Sequence, residues 1–362
     1  MNWPVFIANT YFSRKQPLSI VHFLTDRCNA RCPHCFMDFS KPVPSQDLLS
    51  LDEICAMTRT MGKGLYNVNL TGGEPFLRED LFEIVSAYFK NTTVRSIVIT
   101  SNGTLTKAVG TFVDKLHRSD FRGRVKLSFS LDNFEREHDA HRKVKGAFQS
   151  VLEAYRIVED QQDSRMTADI LITVTPFNYG IVMDLLTSLK NRGIHNYSTV
   201  LMRVEGLVFK IENSEAVLRS YQNFSSRIQL ELLSQQKRLS LHIFPEAIRS
   251  AKNIIARDIV TEMSRAPREL YPCFAGSLFG VIYPEGTVAP CETADDSYRF
   301  GNIRNTGLDF MRLWQEETAS FQRKRLRKAR CGCTYECAWS VNIPANISLM
   351  PKLAILSCKN LL

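Results

Sequence analysis

Three cysteines fall within eight residues, in the order Cys28-x3-Cys32-x2-Cys35. Three thiolates can wrap one iron–sulfur cluster and leave one iron open to a non-protein ligand. A zinc site would need a fourth donor close by. His34 precedes the third cysteine, so zinc stays an alternative for this segment taken alone. A second group lies towards the other end of the chain: Cys273, Cys291, Cys331, Cys333 and Cys337. Clustered cysteines in a reducing compartment point to metal or catalysis rather than to disulfides. Cys55 sits in a helix-like stretch, LDEICAMTRTM, and reads as a small buried hydrophobe. Cys358 has no placed role.

The elements that must hold these residues follow a repeating pattern. From about Ser19 the chain alternates short β-like runs with helical ones. The strands read as SIVHFLT, YNVNLTGG, SIVITSNG, VKLSFSLD, MTADILITVTP and STVLMRVEGL, with a helix predicted between each consecutive pair. Repeated βα units imply a parallel sheet with right-handed crossovers. Six units fall short of the eight of a full barrel, so the expected fold is α/β, and a partial (β/α)6 TIM-like barrel and an open doubly wound sheet both fit the pattern. Cys28 then lies in the loop at the C-terminal end of the first strand, where such folds build their sites. The predicted organisation is an N-terminal segment over 1–18, a core over 19–212, a helical linker over 213–270 and a small cysteine-rich α+β domain over 271–362. In the last, VIYPEGTVAP reads as a hairpin turning at Pro284-Glu285-Gly286.

The Cys-x3-Cys-x2-Cys loop on the first strand of a βα series resembles the radical S-adenosylmethionine (SAM) superfamily, over roughly 19–205. Thr71-Gly72-Gly73-Glu74-Pro75 closes the second strand, where that family has its GGEP motif. SFSLD at 128–132 and HDAHRKVKGAF at 138–148 look like its SLD…HD..R pattern. The resemblance implies a [4Fe-4S] cluster on Cys28, Cys32 and Cys35, with SAM chelating the open iron. It implies that Gly72, Gly73 and Glu74 meet the SAM amino group, and that Ser130 and Arg142 lie near its ribose and carboxylate. A guanidinium suits a carboxylate. His34 would stand near the adenine. In this family one electron from the cluster cleaves SAM to methionine and a 5′-deoxyadenosyl radical, which removes a hydrogen atom from the substrate.

The spacing of Cys273, Gly286 and Cys291 resembles the opening of the SPASM/twitch extension, which carries auxiliary [4Fe-4S] clusters. A glycine there lets the hairpin turn beneath a cluster. The second half departs from the full SPASM pattern. Only Cys333-x3-Cys337 fits it, and Cys331 comes two residues earlier. Two fully ligated clusters need eight cysteines, so one auxiliary cluster is expected. Its ligands would be Cys273, Cys291, Cys333 and Cys337, with Cys331 competing for a place.

Composition bounds these readings. The 362 residues are 44% hydrophobic and 23% charged, enough apolar side chain for a core and too much for a disordered chain. The mean hydropathy of −0.16 fits a soluble protein, and no run approaches the length of a membrane span. The N-terminus, MNWPVFIANTYFSRK, lacks the features of a secretory signal, so the expected location is the cytoplasm. The net charge is +9. The densest basic run is Arg323, Lys324, Arg325, Arg327, Lys328 and Arg330, which follows the helix-like DFMRLWQEETASFQ and reads as a solvated helix end. A nucleic-acid reader would interleave aromatics with these cations, and RKRLRKAR has none.

The expected activity is therefore a radical SAM oxidoreductase acting on a small molecule in a dehydrogenation or related biosynthetic step. The auxiliary cluster would accept an electron from the substrate radical, and flavodoxin or ferredoxin would supply the reductant. About 18 residues precede the first strand, too few for a leader-peptide-binding domain, which shifts the expectation from a peptide substrate towards a small molecule. A peptide-modifying maturase and an iron–sulfur electron carrier are the alternatives. Thr175, Asn178, Arg203 and Glu205 are the candidate pocket residues; no catalytic acid or base stands out.

Overall fold

The computed structural model describes residues 3–39, 42–203, 214–239 and 243–361. Six parallel strands form in the expected places: β1 (Ser19–Phe23), β2 (Asn67–Thr71), β3 (Ser96–Ser101), β4 (Arg124–Ser130), β5 (Met166–Val174) and β6 (Tyr197–Leu201). They lie side by side in chain order, which is the half-barrel. Period-two alternation sorts their faces. Val68, Leu70, Ile97, Ile99, Val125, Leu127, Phe129, Ile170 and Ile172 point outwards into a core completed by the helices. On the inner face stand half-buried polar residues such as Asn67, Asn69, Lys126 and Ser130.

The sheet does not stop at the half-barrel. β7 (Phe279–Ile282) pairs in parallel with β1, and β8 (Thr287–Ala289) and β9 (Gly301–Asn302) follow antiparallel, giving one nine-stranded sheet. The β7–β8 hairpin is the expected one, and Gly286 takes φ +90° at its turn. Through β7 the cysteine-rich segment continues the barrel sheet. β1 is consequently buried on both faces. Ile20 packs under the helices, while Val21 and Phe23 pack with Phe279, Val281, Cys291, Cys333 and Tyr335 in a second core.

Two further differences concern helices. EREHDAHR forms its own helix, Glu135–Arg142, ahead of the expected Ala147–Glu159. Its polar sequence carries no apolar stripe to announce it. The single helix expected over DFMRLWQEETASFQ is two, Phe310–Gln315 and Glu317–Ala329, because Glu316 is extended (ψ 158°). The linker is helical as expected, with Glu215–Leu239 packed on Ile243–Arg265. The helix Glu336–Ala345 packs against Ile243–Arg265, and the Glu336 carboxylate accepts from the Leu201 amide (2.9 Å) and the Tyr221 hydroxyl (2.7 Å). These bonds tie the cysteine-rich segment to the far edge of the half-barrel, so it closes the open side. Among the described residues no helix is long and apolar enough to cross a membrane.

Candidate functional site

The cysteine loop leaves the C-terminal end of β1 and is fastened to the end of β2. Gly73 N donates to Thr25 O and Glu74 N to Arg27 O, both at 2.7 Å. The glycines permit this approach: a Cβ on Gly72 would stand 2.2 Å from Thr25 O, and one on Gly73 2.0 Å from Arg27 O. Glu74 is fully buried, and its carboxylate accepts from Phe76 N (3.0 Å), the Ser101 hydroxyl (2.8 Å) and Asn102 N (2.7 Å). Through these bonds that carboxylate braces the ends of β2 and β3 beneath the cysteines.

Cys28, Cys32 and Cys35 lie within electrostatic reach of one another. All three are free thiols, raised by burial, Cys35 to about 11. Such thiols make poor thiolates unless a metal's positive charge offsets the penalty. Sulfur-directed donors are already in place: Ala30 N at 3.4 Å from Cys28 Sγ, Asn102 Nδ2 at 3.7 Å from the same atom, and Met37 N at 3.5 Å from Cys35 Sγ. No three His, Cys, Asp or Glu side chains converge as ligands of a single metal ion among the described residues. A cubane cluster does not ask this of its cysteines, since each binds a different iron.

Beside the thiols lies a buried charge network. Arg142 pairs with Asp132 and stands beside Cys32. Burial alone would lower the Arg142 pKa, but Asp132 and the charges of Cys32 and Cys28 outweigh it and raise it. Burial would raise Asp132, yet Arg142, then His34 and His138, hold it down at about 2. The Asp132 amide donates to His138 Nδ1 (3.2 Å), and Asp139 accepts from Phe148 N (2.9 Å) to start the next helix. His34 Nδ1 meets His141 Nε2 at 2.6 Å, their rings stacked at 4.8 Å, and burial lowers His34 to about 4, keeping it neutral. Arg142 Nε is buried with no hydrogen-bond partner among the described residues, a donor left for a ligand at this place. Ser130 is half-buried at the inner-face end of β4.

The second group is compact at its centre and open at two sides. Cys273, Cys291 and Cys333 lie within reach of one another, Cys291 and Cys333 buried. Cys331 approaches Cys273 and Cys333 from the protein surface. Cys337 is exposed and stands near Glu292, Arg203 and Glu336. Burial raises Cys273 to about 12. Asn342 Nδ2 stands 3.4 Å from Cys273 Sγ.

Arg203 joins the two groups. It stands just beyond β6, is packed against Glu292 in an ion pair, and its guanidinium lies over Phe36 (4.4 Å) and Tyr335 (5.0 Å). Phe36 follows Cys35, Glu292 follows Cys291, and Tyr335 lies between Cys333 and Cys337. Of the other pocket candidates, Thr175 and Asn178 are consumed in a buried turn. Asn178 Oδ1 accepts from Thr175 N (2.8 Å), and its Nδ2 donates to Asp132 O and Thr173 O (each 2.8 Å). Glu205 lies outside the described residues. On the inner face Asp169 receives the Lys126 ammonium (2.9 Å) and the Ser128 hydroxyl (2.5 Å). Lys252, near Cys337 and Lys126, is lowered to about 8, by burial first and then by Arg249 and Lys126. Sequence reading missed Asp132, His141, Lys126, Asp169 and Lys252. Lys126 and Asp169 carried a signal: each is a charge between outward-facing apolar neighbours of one strand.

Residues 23–189 match the model of the radical SAM superfamily, and residues 273–338 match that of an iron–sulfur cluster-binding domain, SPASM. The chain belongs to the radical SAM superfamily. Its cofactors are a [4Fe-4S] cluster and SAM, and its SPASM domain binds auxiliary iron–sulfur. Among curated relatives, the GTP 3′,8-cyclase of Cronobacter sakazakii is 46% identical over 83 residues. That stretch is 22% of this chain and 25% of the relative, so the match spans about a quarter of that protein. Among solved structures, anSMEcpe with bound AdoMet superposes with a TM-score of 0.60 at 15% identity, covering 95% of this chain and all of that one (100%). SuiB of Streptococcus suis bound to the precursor peptide SuiA gives 0.55 at 16%, covering 90% of this chain and 71% of that one. At these identities the likeness is one of fold, and it extends over the half-barrel and the cysteine-rich segment together.

Proposed function

We propose that this radical SAM enzyme takes a hydrogen atom from a polar substrate held on the inner face of the half-barrel, in a net oxidation. Arg203 carries the reading. It touches the loop of the first cysteine group and the flank of the second, and so makes them two walls of one site. Cys28, Cys32 and Cys35 would hold the cluster that binds SAM. Cys273, Cys291 and Cys333 would hold the auxiliary one, with Cys337 or Cys331 as fourth ligand. When bound, the first cluster and SAM supply one-electron cleavage of the sulfonium and a carbon radical able to abstract hydrogen.

The chain's own residues do the positioning. Gly72 and Gly73 present a strand end with no side chain in the way, and Glu74 fixes it from below. Arg142, anchored on Asp132, offers its unpartnered Nε to the SAM carboxylate. The His34 and His141 stack supplies a flat neutral surface for the adenine. Ser130 stands on the ribose side. Lys126, Asp169 and Lys252 line the inner face where a substrate would meet charge, and Lys252, lowered to about 8, is suited to take up the proton a substrate radical loses on oxidation. A reducing cytoplasm would keep both thiol groups intact, with flavodoxin or ferredoxin as reductant.

A small molecule is the first reading of the substrate. A peptide side chain is the second, favoured because two proteins of like fold, anSMEcpe and SuiB, were solved with peptides bound. Reconstituted, reduced protein should form 5′-deoxyadenosine from SAM, and Cys291→Ala should keep that reaction while losing oxidised product. Full product formation by Cys291→Ala protein that has lost its auxiliary iron would refute the oxidation. Comparing host metabolites with pooled peptides as accelerators of SAM cleavage separates the two substrate classes.

A further inference from the structure

The basic run of the sequence finds a place beside the second cysteine group. The helix Glu317–Ala329 carries Arg323, Lys324 and Arg327 along one wall of a cleft of about 790 Å³, and Arg14 and Lys15 come from the N-terminal segment opposite. Cys273 and Cys331 also line it, so the cleft opens directly over the thiols assigned to the auxiliary cluster. Glu269 is the lining carboxylate against these five cations. None of the five makes an ion pair with a carboxylate among the described residues. The Arg14 guanidinium lies over the ring of Phe274, and that of Arg323 over Phe300 and Trp314. Burial, and then the charge of Arg327, lowers both. A solvated helix end would scatter such charges into water. Here they line one concavity in which Glu269 is the single carboxylate, with Arg323 held by the Gly276 and Trp314 carbonyls.

We propose that this cleft docks an acidic one-electron carrier protein, which exchanges electrons with the cluster held at Cys273. The inference rests on the auxiliary-cluster reading above and adds the route by which its electron leaves. When a substrate radical is oxidised it gives up one electron and one proton. The proton goes to a base on the inner face. The electron passes through the Cys273 site to the oxidised carrier, which becomes one-electron reduced. A complementary acidic surface on the carrier matches these five cations, and the opening at Cys273 shortens the transfer path. Attraction between such surfaces acts mainly on the association rate and weakens with salt.

The test uses the full chain with Cys28, Cys32 and Cys35 changed to Ala, so that only auxiliary iron remains. It is reduced and mixed in stopped flow with an oxidised acidic bacterial flavodoxin. Lys15→Glu, Lys324→Glu and Arg327→Glu together, all exposed positions, form the comparison. The expected result is a second-order rate at least tenfold lower after charge reversal at low ionic strength, with most of its salt dependence gone. In the chain with all cysteines intact, reversal should leave dithionite-driven SAM cleavage and iron content unchanged. Equal rates before and after reversal would overturn the proposal. So would reversal that abolishes retention of RNA on filters while sparing flavodoxin, which would make the cleft a nucleic-acid site. If the parent variant holds no iron, the auxiliary-cluster reading itself fails and this proposal falls with it; measured iron content separates that failure from a failure of docking.

Discussion

Removing the cation at Arg203 is the sharpest structural perturbation available. Its side chain is 13% exposed and that of Glu292 7%, so the pair is largely shielded from water. Changing Arg203 to Met leaves the Glu292 carboxylate in a low-dielectric place beside Cys291 with no counter-charge. Breaking a buried pair from one side costs about 3–5 kcal/mol, most of it the penalty on the stranded charge. The lost contacts with Phe36 and Tyr335 add roughly 0.5–2 kcal/mol. Arg203→Met should therefore lose at least about 3 kcal/mol in anaerobic urea denaturation followed by tryptophan fluorescence. Changing Glu292 to Gln in the same chain removes the stranded charge and should restore more than half of the loss. A single variant within about 1 kcal/mol of wild type, or a double variant no more stable than the single, would show that Arg203 does not bind the two walls together.

Three further outcomes follow from the same structure. Gly73→Ala would set a Cβ 2.0 Å from Arg27 O, so the cysteine loop should lose its hold; iron bound at Cys28, Cys32 and Cys35 should fall while auxiliary iron stays, and full iron content would count against the close approach. His22 is buried, shares a 2.8 Å hydrogen bond with Tyr88, and is lowered to about 3, by burial first and then by Arg78. The unfolded chain protonates this histidine below pH about 6.5 and the native one does not, so its contribution is complete above that pH and lost as pH falls towards 3. Between pH 7.5 and 5.0, His22→Gln should lose about 2 kcal/mol less stability than wild type in urea denaturation, and parallel pH profiles would refute the buried neutral ring. Asp132→Asn should weaken SAM binding, seen by equilibrium dialysis, because it leaves Arg142 unanchored; unchanged affinity would remove Arg142 from the SAM site.

The half-barrel was legible because its signal is local. Val125, Leu127 and Phe129 alternate with Lys126, Ser128 and Ser130, and such alternation names both the strand and its faces. The cysteine loop was legible by spacing. What sequence reading missed depends on partners distant in the chain. The β7–β8 hairpin is written around Pro284 and Gly286, but nothing local says that Phe279 will pair with Ser19. Glu74 reads as a ligand from its motif, but nothing local says that Ser101 and Asn102 will also hold its carboxylate. Arg203 was a candidate pocket residue; that it bridges Phe36 and Glu292, each far from it in the chain, is visible only once both cysteine segments are in place.

The central claim is that two separate thiol groups hold two separate clusters, only the first of which acts on SAM. Iron content and 5′-deoxyadenosine formation, measured on the chain with Cys28, Cys32 and Cys35 changed to Ala, test it directly. The account predicts about four irons per chain, bound at the Cys273 group, and no 5′-deoxyadenosine. Formation of 5′-deoxyadenosine by that variant, or its complete loss of iron, would contradict the account.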